Sequence, residues 1–237
     1  MKNNNSFIKK VFKGKKIIFI ILLIIIIFLI IFLLYKYKYF FNIELFSENN
    51  NPSFHILIAT IGKESIFNII DSLNQQLNEN DYLTIVFDGP NLPNIDKVKM
   101  KTLKLKCKVN IIVEEKNLGF WGHAIRNKYN NLEGDFVFHI DDDDNIVNDC
   151  MNTLRNICQD KNTIYIFKMD VNNDIIWKTK EIIHGEIGTP MGIIPTKINS
   201  TSYFTYKYGG DFDFYKKLEN DGNKIEYIDK VIYMVRK

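Results

Sequence analysis

The residues in this chain best suited to chemistry are four consecutive carboxylates, Asp141, Asp142, Asp143 and Asp144. Adjacent anions repel, so folding them into a compact site is costly unless a cation joins them. Hard divalent cations take oxygen ligands, and Mg²⁺ or Mn²⁺ is commonly shared between one or two carboxylates and the phosphates of a substrate. The run could therefore seat a metal–diphosphate complex. The competing reading is a solvated acidic loop, or a helix start stabilised by the macrodipole.

What positions the run favours the first reading. Phe136–Ile140 is a short apolar strand that leads directly into Asp141. Upstream, Phe54–Ala59 and Tyr82–Phe87 read as buried strands, and Ile66, Ile69, Ile70, Leu73 and Leu77 recur at helical spacing between them. Val109–Val113 reads as a third strand and Gly122–Leu132 as a helix. A helix over Val147–Cys158 and a strand over Thr163–Phe167 follow the aspartates. This β-α alternation predicts a largely parallel sheet covered by helices. Such sheets bind ligands beyond the carboxyl ends of their strands. Asp88 and Asp141–Asp144 each stand just past a predicted strand end. No G-x-G-x-x-G follows the first strand and no G-x-x-x-x-G-K-[ST] occurs, which disfavours a dinucleotide site and a P-loop.

The bulk properties narrow the setting. The 237 residues suit one domain plus an appendage. The net charge of +3 is concentrated in Lys2, Lys9, Lys10, Lys13, Lys15 and Lys16, and beyond the apolar segment acid and base nearly balance. Nothing there favours a nucleic-acid partner. Cys107, Cys150 and Cys158 form no metal-ligand pattern, and their odd, sparse count argues against a disulfide framework. They read as buried thiols.

Residues 17–34 are apolar and free of charge and helix breakers, long enough to cross a hydrocarbon core of about 30 Å. The segment is too long for a cleaved signal peptide, and no A-x-A follows it. Lysines crowd its N-terminal side, while Tyr35, Tyr37 and Tyr39 suit the opposite interface. The positive-inside rule then leaves the N-terminus in the cytosol, a type II arrangement contacting membrane lipid. The expected organisation is a basic cytosolic tail over 1–16, a transmembrane helix over 17–34, a stem over 35–52 and a domain over 53–237.

The segment Asn117–Asp144, NLGFWGHAIRNKYNNLEGDFVFHIDDDD, resembles the signature of the GT-A glycosyltransferases, especially the inverting family 2. Asn117, Gly119, Ala124, Arg126, Asn127 and Gly134 match in order, with one residue more between Ala124 and Arg126. Ile58–Thr60 resembles the family's first strand and Asp88 the aspartate ending its second. Gly209–Phe214 resembles G-E-D-x-D-[LF], and Ile225–Arg236 the closing strand. The resemblance spans nearly all of 54–237. It implies a Rossmann-like α/β fold of the GT-A type, with a mostly parallel sheet flanked by helices.

The resemblance also implies roles. A nucleotide-sugar donor, often a UDP-sugar, would pass its sugar to a hydroxyl of a glycan, lipid-linked or protein acceptor. Asp143 would ligate Mn²⁺ or Mg²⁺, with Asp141 on ribose or a metal-bound water, while Asp142 and Asp144 stay open to a one-residue slip in register. Thr60 and Asp88 would contact the donor, and Arg126 would pair either with its phosphate or with an acidic neighbour. Asp211 would be the general base, with Asp213 as fallback, although Gly210 replaces the usual glutamate; the alternative is that Asp211 only caps the following helix. His184 and Glu186, in the Gly-rich stretch 183–192, would touch the acceptor. Trp121 is a candidate for stacking on a sugar, against core packing. Tyr203, Phe204, Tyr206 and Tyr208 form either an acceptor wall or an inward-packing strand. Two further readings are a nucleotidyltransferase, whose glycine-rich loop is missing after the first strand, and a silent nucleotide-sugar-binding scaffold.

Overall fold

The computed structural model describes residues 25–36 and 51–235. The chain divides at Asn51 and Pro52 into two units, each described by itself. In the first, residues 25–36 form a helix whose apolar side chains, Ile25 to Leu34, are all exposed. Residues 17–24 of the expected membrane span lie outside the described residues. Among the described residues no helix is long and apolar enough to cross a membrane.

The second unit is a mixed α/β fold. Its strands are β1 (Phe54–Thr60), β2 (Tyr82–Phe87), β3 (Lys108–Val113), β4 (Phe136–Asp141), β5 (Asn145–Ile146), β6 (Thr163–Val171), β7 (Asp174–Ile176), β8 (Gly192–Pro195) and β9 (Lys224–Val235). Its helices are α1 (Ile66–Asn74), α2 (Ile95–Thr102), α3 (His123–Lys128), α4 (Cys150–Ile157), α5 (Thr196–Asn199) and α6 (Gly210–Asn220). One sheet runs in the order β3-β2-β1-β4-β8-β6-β9-β5, with β7 beside β6.

The first half of this sheet follows the expectation. Strands β3, β2, β1 and β4 are all parallel. Strands β1, β2 and β4 are buried almost throughout, as continuous apolar runs covered on both faces must be. Helix α1 lays Ile66, Ile69, Ile70 and Leu73 into the main core. On the other face a smaller cluster, Leu57, Val86 and Ile125, lies under α3.

The second half mixes directions: β6 and β9 pair in parallel, but short antiparallel strands join them. The four-residue β8 is antiparallel to both β4 and β6. An antiparallel strand needs no crossover helix, so a long loop can deliver it into the middle of the sheet. Helix α3 is also shorter than the 122–132 periodicity suggests. It stops at Lys128, although Tyr129 and Leu132 still pack on the smaller cluster.

The topology makes a crevice. From β1 the chain moves outward to β2 and β3, then returns to place β4 on the other side of β1. Ligands favour the carboxyl ends of strands where the order reverses in this way. The register brings Thr60 level with Phe87, and Ala59 level with Asp141, along that edge.

The opposite end of β1 is tied by a buried ion pair. Asp81, fully buried, pairs with Arg155 and accepts hydrogen bonds from the backbone N–H groups of Phe54 (3.1 Å) and Asn78 (2.9 Å). Removing one partner leaves the other charge buried and alone, which costs about 3–5 kcal/mol. We expect Asp81→Ala to lower unfolding free energy by about that amount, read from urea titrations with an unchanged slope. A loss below about 1 kcal/mol would show that the pair does not hold this end of the sheet.

Candidate active site

A cavity of about 520 Å³ opens over the β1/β4 crevice. Its wall includes Thr60, Lys63, Asp88, Asn117, Trp121, His123, Asp141, Asp142, Asp143, Thr189, Tyr208 and Asp211. Residues from six separate stretches of the chain therefore meet in one place.

The aspartate run is not four equivalent groups. Asp141 ends β4 and its carboxylate accepts a 2.5 Å hydrogen bond from Arg126. Asp142 is buried and accepts one at 2.5 Å from the Thr60 hydroxyl, which itself accepts from the Gly62 N–H. Burial raises the Asp142 pKa above the usual carboxylate range. Asp143 is half-exposed and its nearest partner is Lys63 at 3.3 Å. Asp144 is buried against the Tyr233 hydroxyl and does not line the cavity.

Asp88 follows β2 and organises the loop after β3. Its carboxylate accepts hydrogen bonds from the N–H groups of Leu118 (2.6 Å) and Gly119 (2.9 Å) and from the Asn117 side chain (3.2 Å). That loop is unusual. Gly119, Phe120, Trp121 and Gly122 all have positive φ, at 74°, 58°, 52° and 79°. Glycine tolerates this region, but a bulky residue there costs on the order of 1–3 kcal/mol. At Gly122 a side chain would also come within 2.6 Å of Ala59 and 2.9 Å of the Arg126 guanidinium.

Helix α3 supplies three residues beneath the cavity. Arg126 is only 1% exposed and is absent from the cavity wall. Besides Asp141 it donates to the Trp121 carbonyl (2.9 Å) and, more weakly, to that of Ile140 (3.4 Å). The structure thus places Arg126 under the aspartates rather than against a donor. Asn127 exchanges two 2.8 Å hydrogen bonds with the backbone of Phe204. His123 bonds through Nδ1 to the Thr205 carbonyl at 2.9 Å.

Asp211 sits in the first turn of α6, on the cavity wall. Burial raises its pKa despite the Phe212 N–H that it accepts. Asp213 is off the wall, held by Thr205 and Lys207, which lower its pKa. The departure from the family pattern at Gly210 has a steric cause. A side chain there would strike the Thr205 carbonyl and come within 2.7 Å of the His123 ring.

His184 and Glu186 do not reach the wall. His184 backs Gly209 and packs edge-on against Phe212, while Glu186 accepts from the Lys178 N–H. Their loop contributes Thr189 instead. Lys63 was missed as a site residue, though its position three residues after Thr60 was a signal. Trp121 is 69% exposed, and Tyr208 stands in a loop at 83%, so neither packs inward.

No protein-family model and no curated relative matches the chain. Solved structures do. The first 349 residues of S. aureus TarS match at 23% identity and a TM-score of 0.59, over 77% of this chain and 60% of that one. The same protein in complex with UDP-GlcNAc matches at 21% and 0.61, over 78% and 58%. The mannosyltransferase PcManGT from Pyrobaculum calidifontis, in complex with GDP-Man and Mn²⁺, matches at 11% and 0.60, over 79% and 57%. The fold is that of the GT-A glycosyltransferases. The chain spans about three fifths of the length of these structures. In this GT-A fold the cavity occupies the crevice beside β1 and β4.

The site has a pH signature. Burial, then the charges of Asp141 and Asp143, raise the Asp144 carboxyl to about 7. An unfolded aspartate titrates near pH ~3.9. Between those values the folded chain holds a proton that the unfolded chain releases, so stability falls as pH rises through the window. We expect chelator-treated protein to melt at lower temperature at about pH 8 than at about pH 5. Asp144→Asn should flatten that slope. A slope unchanged in the variant would assign it to other groups.

Proposed function

We propose that this chain is a membrane-anchored glycosyltransferase that moves a sugar from a UDP-sugar to an acceptor hydroxyl with inversion. The observation that carries the reading is the meeting of Asp88, Asp141–Asp143 and Asp211 on one cavity of a GT-A fold. Complexes of similar structures with UDP-GlcNAc and GDP-Man support a nucleotide-sugar donor.

The donor set fits a hard divalent cation. Among the described residues no three His, Cys, Asp or Glu side chains converge on one metal position. One or two carboxylates, with a diphosphate completing the shell, is the arrangement expected for Mg²⁺ or Mn²⁺. Asp143 would be the direct ligand, since its exposed pairing with Lys63 is weak and readily exchanged. Asp141 stands beside it, with its orientation set by Arg126. When bound, the ion would neutralise charge on the departing diphosphate. A Mn²⁺ complex of one similar structure supports this.

The chain's own groups do the rest. Asp88 and Asn117 border the place for base and ribose, and Thr60 fixes Asp142. Asp211 accepts the proton of the attacking hydroxyl, and its raised pKa makes it a better base near neutrality. One displacement with a single base inverts the anomeric carbon.

The apolar run 17–34 supplies the anchor, with the lysine-rich tail over 1–16 in the cytosol, a stem over 35–52 and the catalytic domain over 53–237. The exposed apolar helix over 25–36 supports this, since such a surface calls for a lipid or protein cover.

The full chain with Mn²⁺ should release UDP from at least one member of a UDP-sugar panel. We expect Asp143→Ala to abolish that release, and full activity in the variant would sink the metal assignment. Asp211→Asn should keep donor binding by calorimetry and lower turnover by about 10²–10⁴-fold. Undiminished transfer would place the base elsewhere.

A further inference from the structure

We propose that Trp121 and Tyr208 form the acceptor subsite, and that its ligand is an uncharged sugar ring. The proposal rests on the glycosyl-transfer reading for its direction, but the subsite binds sugar whether or not transfer occurs.

Both side chains line the cavity that holds Asp211, and both are largely exposed, Trp121 at 69% and Tyr208 at 83%. Exposed aromatic surface beside a functional cavity calls for a ligand. These rings come from two different loops that are joined to each other. Phe120, next to Trp121, stacks on Tyr206 with ring centroids 4.6 Å apart and planes 14° apart. Arg126 holds the Trp121 carbonyl from below, and Asn127 pins the Phe204 backbone at the start of the second loop. The ledge is therefore built before any ligand arrives, which lowers the entropy cost of binding.

The backbone points the same way. Phe120 and Trp121 are consecutive bulky residues in the left-handed region, where glycine or asparagine would sit without strain. The chain keeps aromatic rings at a position that resists them, and leaves one of them facing the cavity.

Chemistry selects the ligand. A pyranose has an apolar C–H face that an indole or phenol ring can cover, while its hydroxyls stay at the edge, free to reach Asp211. A lipid tail would need a continuous apolar groove, but this wall carries Asp88, Asp141, Asp142, Asp143 and Asp211. Against those carboxylates, Lys63 is the one cationic side chain on the wall, since burial and then Arg126 lower the His123 pKa. Asp211, to which no cation is assigned, would repel a phosphorylated or uronate sugar beside it, so the ring is uncharged. His184 and Glu186, off the wall, are not part of this subsite.

The test uses the full chain in a detergent without sugar groups. An array of neutral oligosaccharides, acidic oligosaccharides and Ser/Thr peptides is probed first, and the best neutral oligosaccharide is then titrated by calorimetry. We expect neutral glycans to be retained in preference to acidic glycans and peptides. Trp121→Ala and Tyr208→Ala should each weaken binding by about fivefold to tenfold, and Trp121→Tyr should restore most of it. Thermal melts of the variants separate lost binding from lost folding. The intrinsic fluorescence should shift to the blue on binding, because the only other tryptophan, Trp177, is already buried. Retention of peptides or acidic glycans instead, no retention of any probe, or unchanged affinity in a folded Trp121→Ala would each overturn the proposal. A parallel UDP titration of the unmodified chain keeps the two readings apart. UDP binding without glycan binding removes only the ledge, and glycan binding without UDP binding removes only the transfer reading.

Discussion

The site depends on a guanidinium that never meets solvent. Arg126 lies beneath the cavity with 1% of its surface exposed. Burying such a charge is costly unless it is paired and hydrogen-bonded. Asp141 supplies the countercharge, and the carbonyls of Trp121 and Ile140 take further donors. One side chain thus joins the end of β4, the strained loop after β3 and helix α3. Each of those elements carries something the cavity uses. The pair also changes what Asp141 can do. A carboxylate oxygen already accepting from Arg126 has less capacity for a second cation, whereas Asp143 is half-exposed and paired only with Lys63.

The α3 segment extends this logic to the far side of the cavity. His123, Arg126 and Asn127 are close in sequence, yet they reach three different places. Arg126 goes to β4, whereas His123 and Asn127 go to the backbone of residues 204 and 205. Those backbone bonds set where the 203–209 loop enters α6, and so where Asp211 sits. A short helix becomes the common support of the aspartate side of the cavity and the Asp211 side. Loops bearing function need this kind of rigid backing, because their own backbone has few partners.

Much of this was legible in the sequence, and the boundary has physical causes. Strands β1, β2 and β4 announced themselves because burial on both faces demands unbroken apolar runs. The edge where Asp88 and Asp141 stand was legible because each follows directly on a predicted strand of a β-α alternation. The strand β8 did not show itself. Its four residues, Gly192–Pro195, are too few to establish any periodicity, and their place between β4 and β6 comes from long-range pairing. The placement of Arg126 was also hidden. An arginine at a motif position reads equally well as a phosphate contact or as a buried strut, and only packing distinguishes them. The positions of His184 and Glu186, off the cavity wall, were hidden for a similar reason. The Gly-rich stretch does reach the cavity, but through Thr189, since His184 is used to back Gly209.

Gly210 shows how a departure from a family pattern can be read. A missing glutamate beside Asp211 looks at first like a lost function. The structure gives the space to His123 and the Thr205 carbonyl, which a side chain at 210 would strike. The substitution and the His123–Thr205 hydrogen bond therefore require each other. That bond fixes the loop carrying Tyr206 and Tyr208, the same loop whose aromatic rings face solvent. Where the resembled pattern carries a charge beside Asp211, this chain has a loop tied to His123 and carrying exposed aromatic rings. That arrangement suits a ligand recognised by a flat apolar face more than one recognised by charge.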